Sequence, residues 1–285
     1  TMGGADKLRK VMGKKMRDEI PKQRKMFTEG AIKNGIEQAT AEAIFDQMEK
    51  FASYGFNKSH AAAYSLISYQ TAYLKAHYPV EFLCAVMSLD ITNTEKLLLY
   101  KEECKKMGFE VLKPDINKSG ADFAVEDGNI RYALGAIKGV GAANMQAIED
   151  ERRAHGPYKD LSDFIHRTDI KQINRRQMEQ LAKAGAFDCL DKNRGKIFAN
   201  IETIMQHIAA ASELKTSSQA SLFGTEELHT TVKLADKPDW PELEKLKLEA
   251  EAIGFYLSAH PLDSYARGME RLGVKTAVEV FHNIK

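Results

Sequence analysis

The chain has 285 residues, 44% of them hydrophobic and 28% charged, and a formal net charge of +1. That is room for two domains and a sizeable core, with a composition ordinary for a soluble protein. No apolar run approaches a membrane span and no signal-peptide pattern is present; Cys84, Cys104 and Cys189 are scattered, with no C-x-x-C, which excludes a disulfide scaffold and a zinc-finger spacing and points to a reducing cytoplasm with no membrane partner.

The net charge hides an uneven distribution. Residues 1–33 hold ten Lys/Arg against four acids, and residues 171–196 hold seven against three. Residues 226–251 reverse the balance, with eight acids against four lysines. Two basic patches and an acidic stretch suit a protein that meets a polyanion at two places.

In chain order, Gly3–Lys15 reads as a basic helix. The spacing of Arg9, Lys10, Lys14 and Lys15 groups cations on one face, a surface suited to a triphosphate or a nucleic-acid backbone. Next comes Y-G-F-N-K-S-H-A-A-A-Y, residues 54–64. Gly55 and Asn57 break the chain, and Lys58, Ser59 and His60 stand where a helix begins, with Ser59 as its N-cap. Unpaired amides at a helix start beside a cation suit phosphate. Ala62, Leu66, Tyr69, Tyr73 and Ala76 recur at helical spacing. Pro79 interrupts that helix and opens the next, Val80–Leu89. Thr92-Asn93-Thr94-Glu95 has the form of a capping box, and Gly108 stops the helix it opens.

The texture changes at Phe109, and Lys113-Pro114-Asp115 marks a boundary. Phe123 and Val125 alternate, Asp127-Gly128 is a hairpin turn, and Ile130 and Tyr132 alternate back, so a small β-hairpin is predicted. Leu134–Ile148 then has the pattern of a short helix, a Gly139-Val140-Gly141 turn and a second helix. Glycines let the backbone approach a ligand, amides at the following helix start can hold a phosphate whatever the base sequence, Val140 would anchor the turn and Lys138 would add a cation. Ile173–Asp188 reads as a degenerate second hairpin around Gly185, with Asn174, Arg175, Arg176 and Arg194 as its polar and basic groups. Residues 211–225 are small and polar and read as a linker. Within it Gln219, Ser221, Leu222 and Phe223 form a short polar-then-apolar peptide of the kind a partner's pocket accepts. A helix over Pro241–Ala252 precedes G-F-Y-L-S-A-H-P-L, a turn or short strand entering another domain. No P-loop, Rossmann glycine pattern, two-metal carboxylate pair or nucleophile–base signature is found, so the expected catalytic and metal-ligand sets are both empty.

These elements, in this order, resemble the alpha subunit of bacterial DNA polymerase III, the C-family replicative DNA-directed DNA polymerases, over essentially the whole chain. The runs G-G-A-D-x-L-R-x-x-M-G-K-K (3–15), Y-G-F-N-K-S-H-A-A-A-Y (54–64) and S-Y-Q-T-A-Y-L-K-A-H-Y-P-V-E-F (68–82) are similar to that family's fingers signatures. The resemblance implies a mainly α fold, with residues 1–112 the carboxy-side part of the fingers and 113–210 a tandem helix–hairpin–helix domain. It further implies a clamp-binding linker at 211–230 and, at 231–285, a helical connector entering an oligonucleotide-binding barrel. Arg9, Lys10, Lys14, Lys15, Lys58, Ser59 and His60 would face incoming nucleotide; many members carry two arginines where this chain has Arg9-Lys10. Lys138, Gly139, Val140, Gly141, Asn174, Arg175, Arg176, Gly185 and Arg194 would meet duplex DNA, and Gln219, Ser221, Leu222 and Phe223 the sliding clamp (the beta subunit). Other replicase subunits and a deoxynucleoside triphosphate are further implied partners. The family's catalytic carboxylates and their Mg2+ lie in a palm upstream of residue 1, so this chain is expected to be an inactive fragment of a nucleotidyltransferase active in DNA replication. The rival reading is a non-catalytic helix–hairpin–helix module of a repair or recombination protein, which has no use for the fingers runs.

Overall fold

The computed structural model describes residues 1–54, 58–216, 232–275 and 280. The mainly α expectation holds: thirteen α-helices and one small sheet are found among the described residues. The chain divides into two compact units, residues 1–73 and 74–285.

The first unit begins with α1 (Met2–Gly13), capped by Thr1, whose hydroxyl accepts from the Gly4 amide at 3.2 Å. Gly13 ends it, so Lys14 is its C-cap and Lys15 sits at φ 52°. The sequence reading placed Arg9, Lys10, Lys14 and Lys15 on one helical face; instead, two of the four lie past the helix end, where cations favour the terminal carbonyls. A 3₁₀ turn at Arg17–Glu19 leads to α2 (Ile20–Lys33), with Pro21 in its first turn, and α3 (Gln38–Tyr54) follows. The core here is small: Val11, Ala41 and Phe45 are buried. The Phe27 and Phe45 rings meet at 5.7 Å, and the Arg24 guanidinium lies 4.8 Å over Phe45 while pairing with Asp46 and Glu49. These contacts bind α2 to α3 through one aromatic ring. The helix α4 (Lys58–His77) forms as its periodicity predicts, but buries none of its described residues; Tyr64, Leu66, Tyr69 and Tyr73 are exposed.

The second unit holds the main core. Its first helices are α5 (Pro79–Leu89) and α6 (Thr94–Met107). Asn93, one residue later than the expected box, caps α6 by accepting from the Lys96 amide at 3.1 Å, and Gly108 ends it in the left-handed conformation. The predicted hairpin is present as β2 (Ala124–Glu126) and β3 (Asn129–Arg131), antiparallel, with Asp127 and Gly128 both at positive φ. Positive φ at both turn residues matches the twist of the flanking strands. A strand the sequence reading missed, β1 (Val111–Leu112), adds in parallel beside β3, with Val111 opposite Ile130.

One ion cluster locks this sheet. Arg131 grips the Glu126 carboxylate with two hydrogen bonds, at 2.6 and 2.8 Å, and Lys118 adds a third at 2.6 Å. The Arg131 bonds are the largest cause holding the Glu126 carboxyl down at about 2; partial burial opposes them and Lys118 reinforces them. A depressed carboxylate stabilises the fold above its unfolded pKa and loses that contribution as pH falls through its folded one. Glu126→Gln is therefore expected to cost about 1–3 kcal/mol at pH 7. The gap to the parent protein should shrink as pH falls from 4.5 towards 2. Urea denaturation across that range is the check; a gap independent of pH would refute it.

Five more helices follow: α7 (Ala142–His155), α8 (Leu161–Arg167), α9 (Arg175–Ala184), α10 (Arg194–Ala199) and α11 (Ile201–Thr216). Their apolar faces converge on Phe164, Phe187, Met178, Leu181 and Ile204, all buried, and the Tyr158, Phe164 and Phe187 rings pack edge to face in series. Residues 232–240 run back across this body. The amide of Val232 donates to Ser162 Oγ at 3.0 Å, Asn200 bonds both the amide and the carbonyl of Ala235, and the Asn193 side chain donates to the Lys237 carbonyl. They deliver α12 (Glu242–Ile253) onto α9. The chain then passes a 3₁₀ turn at Asp263–Tyr265 into α13 (Ala266–Arg271).

Candidate nucleic-acid interface

The turn between Ile137 and α7 is built on two positive-φ glycines, Gly139 at 76° and Gly141 at 83°. A Cβ would strain either position. Between them Val140 is fully buried, and its amide closes the turn on the Ile137 carbonyl at 3.1 Å. An apolar side chain fixes the turn from below while its backbone stays outside: Gly139, Gly141, Ala142 and Ala143 are exposed. Gly141 is the N-cap of α7 and no side chain caps that helix. Its first amides are thus donors without intrahelical acceptors at the positive end of a helix dipole.

A second segment meets this turn. Asn174 caps α9 through a full capping box with Gln177, so the Asn174 side chain serves the helix start. Gln177, buried, also donates from Nε2 to the Val140 carbonyl. That bond seats the start of α9 against the turn and lays Arg176 across Gly139: a Cβ on Gly139 would lie 3.4 Å from Arg176 Nε. Lys138 and Arg176 are both exposed, and neither forms an ion pair among the described residues. Gln177 escaped the sequence reading, although its spacing of three from Asn174 is the signature of the box.

The remaining predicted DNA contacts are placed differently. Arg175 is exposed but paired with Glu179 and Glu202, both at 3.0 Å. Arg194 is turned inward with its side chain 7% exposed. It donates to both oxygens of Asp188, at 2.8 and 2.6 Å, and faces the buried Glu249 at 3.6 Å. Burial opposes its charge, and the two carboxylates outweigh burial and hold its pKa above the ordinary value. Gly185 is left-handed as a hairpin glycine should be, but a Cβ there would collide with the Arg194 guanidinium, so its surface is covered from within. Of the nine expected residues the structure brings together Lys138, Gly139, Val140, Gly141 and Arg176.

In the first unit Arg9, Lys10, Lys14 and Lys15 are all exposed, and Arg9 is paired with Asp6 at 2.7 Å. Lys58, Ser59 and His60 form the exposed first turn of α4, with Ser59 inside the helix rather than capping it, and the His60 ring stacks on Tyr64 at 4.2 Å. Gln219, Ser221, Leu222 and Phe223 lie outside the described residues. Elsewhere in the second unit a cavity of about 780 Å³ opens between α6 and residues 255–263. Lys101 on its wall donates to the Tyr256 carbonyl at 2.7 Å, and burial lowers the Lys101 pKa. Lysines and carboxylates alternate around this cavity, so it lacks the single sign of charge that a polyanion requires. Among the described residues no group of three or more His, Cys, Asp or Glu side chains could hold a metal ion, and no helix is long and apolar enough to cross a membrane.

A buried hydrophobic residue between two positive-φ glycines, opening an uncapped helix, defines a helix–hairpin–helix element, and the family model described as a helix-hairpin-helix motif matches residues 108–197. The wider similarity is to DNA polymerase III subunit alpha. Over 95% of its length the chain is 46% identical to the DNA polymerase III subunit alpha of Vibrio cholerae, and 46% identical to that of Escherichia coli. It is 47% identical to the DNA polymerase III subunit alpha of Neisseria meningitidis serogroup A, again over 95% of its length. The chain is thus similar over nearly its whole length to DNA polymerase III subunit alpha, and it spans 24% of the length of these relatives.

Proposed function

We propose that this chain is the DNA-gripping part of a bacterial replicative polymerase alpha subunit, a nucleotidyltransferase acting in the cytoplasm. The observation that carries this reading is the pair of exposed cations, Lys138 and Arg176, without an ion-pair partner among the described residues, flanking a glycine turn at an uncapped helix start. Such a group holds the phosphates of duplex DNA without reading bases. The similarity over 95% of the chain favours it over a repair or recombination module, because the identity extends well beyond residues 108–197. In the parent, residues 1–112 belong to the fingers, where Arg9, Lys10, Lys14, Lys15, Lys58, Ser59 and His60 position and screen the triphosphate. Residues 113–210 grip the duplex, 211–230 carry the clamp peptide, and 231–285 lead towards an oligonucleotide-binding barrel. Mg2+ on carboxylates elsewhere in the parent supplies the phosphoryl-transfer chemistry; the residues discussed here bind and orient.

Titrating duplex DNA against salt tests the reading. Affinity should fall steeply with salt, because each phosphate contact contributes a slope of about −0.9 in log K against log salt. Affinity equal at low and moderate salt would reject DNA binding, and primer extension by the purified chain alone would reject its non-catalytic role. For the clamp, Leu222→Ala with Phe223→Ala should weaken binding to the sliding clamp about tenfold or more, since a peptide of this kind docks through its apolar pair. Unchanged clamp affinity by surface plasmon resonance would remove that assignment.

A further inference from the structure

We propose that Gly254 is a positioning residue for Lys138, so that the phosphate grip is completed from the far side of the 211–230 linker; this rests on the DNA-binding reading above. One short segment meets both ends of Lys138. Its amide donates to the Ala252 carbonyl at 2.9 Å. Its ammonium lies over Gly254, where a Cβ would stand 3.0 Å from both Cε and Nζ. That distance is tighter than nine in ten real Cβ contacts, so a side chain at Gly254 makes the end of Lys138 give way by a few tenths of an ångström.

Helix capping alone does not explain this glycine. Gly254 ends α12 in the left-handed conformation at φ 106°. Gly108 ends α6 in the same conformation, yet has nothing within 4 Å of its missing Cβ. Gly254 is hemmed in by Lys138 on one side and by the Thr94 methyl on the other. The seat also suits a cation, since it lies at the carbonyl end of α12. The acids of the last turns of α12 are engaged elsewhere: Glu249 faces Arg194, and Glu251 pairs with Lys183 at 3.2 Å. Lys138 therefore keeps its charge available beside the glycine turn, with the end of its side chain lying against Gly254. A preordered cation contributes more to binding than a free one, because less rotamer freedom is lost on contact.

The test uses the full chain and a duplex oligonucleotide, with binding followed by fluorescence anisotropy across a salt series. Gly254→Ala and Gly254→Asn are each made in the parent and in a Lys138→Ala background. Asn tolerates the left-handed backbone, and combining either change with Thr94→Ala relieves the methyl collision. In the parent background each folded variant should lose about three- to tenfold in affinity and up to about 0.9 of the salt slope. With Lys138 already alanine, neither should cause further loss. A folded Gly254 variant with the parent's slope would overturn the proposal, and so would equal losses in both backgrounds. Failure of every variant to fold would assign Gly254 to capping alone and overturn it too. Lys138→Ala with an unchanged slope would instead defeat the DNA role of Lys138 and this proposal with it, whereas a parent chain that binds no duplex defeats the DNA reading as a whole.

Discussion

Replacing Lys138 and Arg176 together by alanine is expected to reduce the salt slope for duplex DNA by about 2 and to lower affinity about a hundredfold at moderate salt, with no change in preference among DNA sequences. The size follows from geometry. Both cations are exposed, neither is neutralised by a carboxylate among the described residues, and both stand at the turn whose amides face solvent. Each removes one counterion-releasing contact, and phosphate contacts carry no base information. Arg175→Ala is the internal comparison. Its guanidinium is also exposed but already paired with two glutamates, so its loss should leave the slope nearly unchanged. A double variant with the parent's slope, or an Arg175→Ala effect of equal size, would place the DNA on another surface.

The second large effect concerns stability. Glu249→Ala should destabilise the second unit by about 3–5 kcal/mol. Glu249 is 1% exposed, and one of its oxygens accepts from the amides of Leu257 and Ser258, at 3.2 and 2.8 Å. The other oxygen faces Arg194. Removing it leaves a buried guanidinium with one carboxylate partner and two backbone donors with none. Arg194→Ala removes the counter-charge of the buried Glu249, so the two changes should combine below additivity. Urea denaturation at pH 7 measures all three variants. A loss below 1 kcal/mol for Glu249→Ala, or simple additivity, would mean that the network does not hold α12 in place.

Much of the architecture was legible from local signals. The β-hairpin followed from Asp127-Gly128 between apolar Phe123, Ile130 and Tyr132, all buried, because turn chemistry is a local property; Val125, which alternates with them in sequence, is exposed. The glycine turn followed from Gly139-Val140-Gly141 for the same reason. The two-residue strand β1 was not legible, since a parallel partner is chosen by distant packing. The extent of α1 was misjudged because charge spacing alone does not show where a helix stops.

The sequence by itself determined most of the elements, the similarity to DNA polymerase III subunit alpha and the form of the glycine turn, all of which depend on residues close together in the chain. Tertiary structure alone decided which cations are available. Arg176 and Arg194 look alike in sequence, each a basic residue beside a helix start. One lies across Gly139 without a carboxylate partner, and the other is enclosed by Asp188 and Glu249. Asp188, six residues away, closes on Arg194 at 2.6 and 2.8 Å, and α12, a segment remote in sequence, adds the buried Glu249 at 3.6 Å; no acid reaches Arg176 among the described residues. A charge is offered to a ligand only where the fold brings it no counter-charge, and only the packed structure settles that.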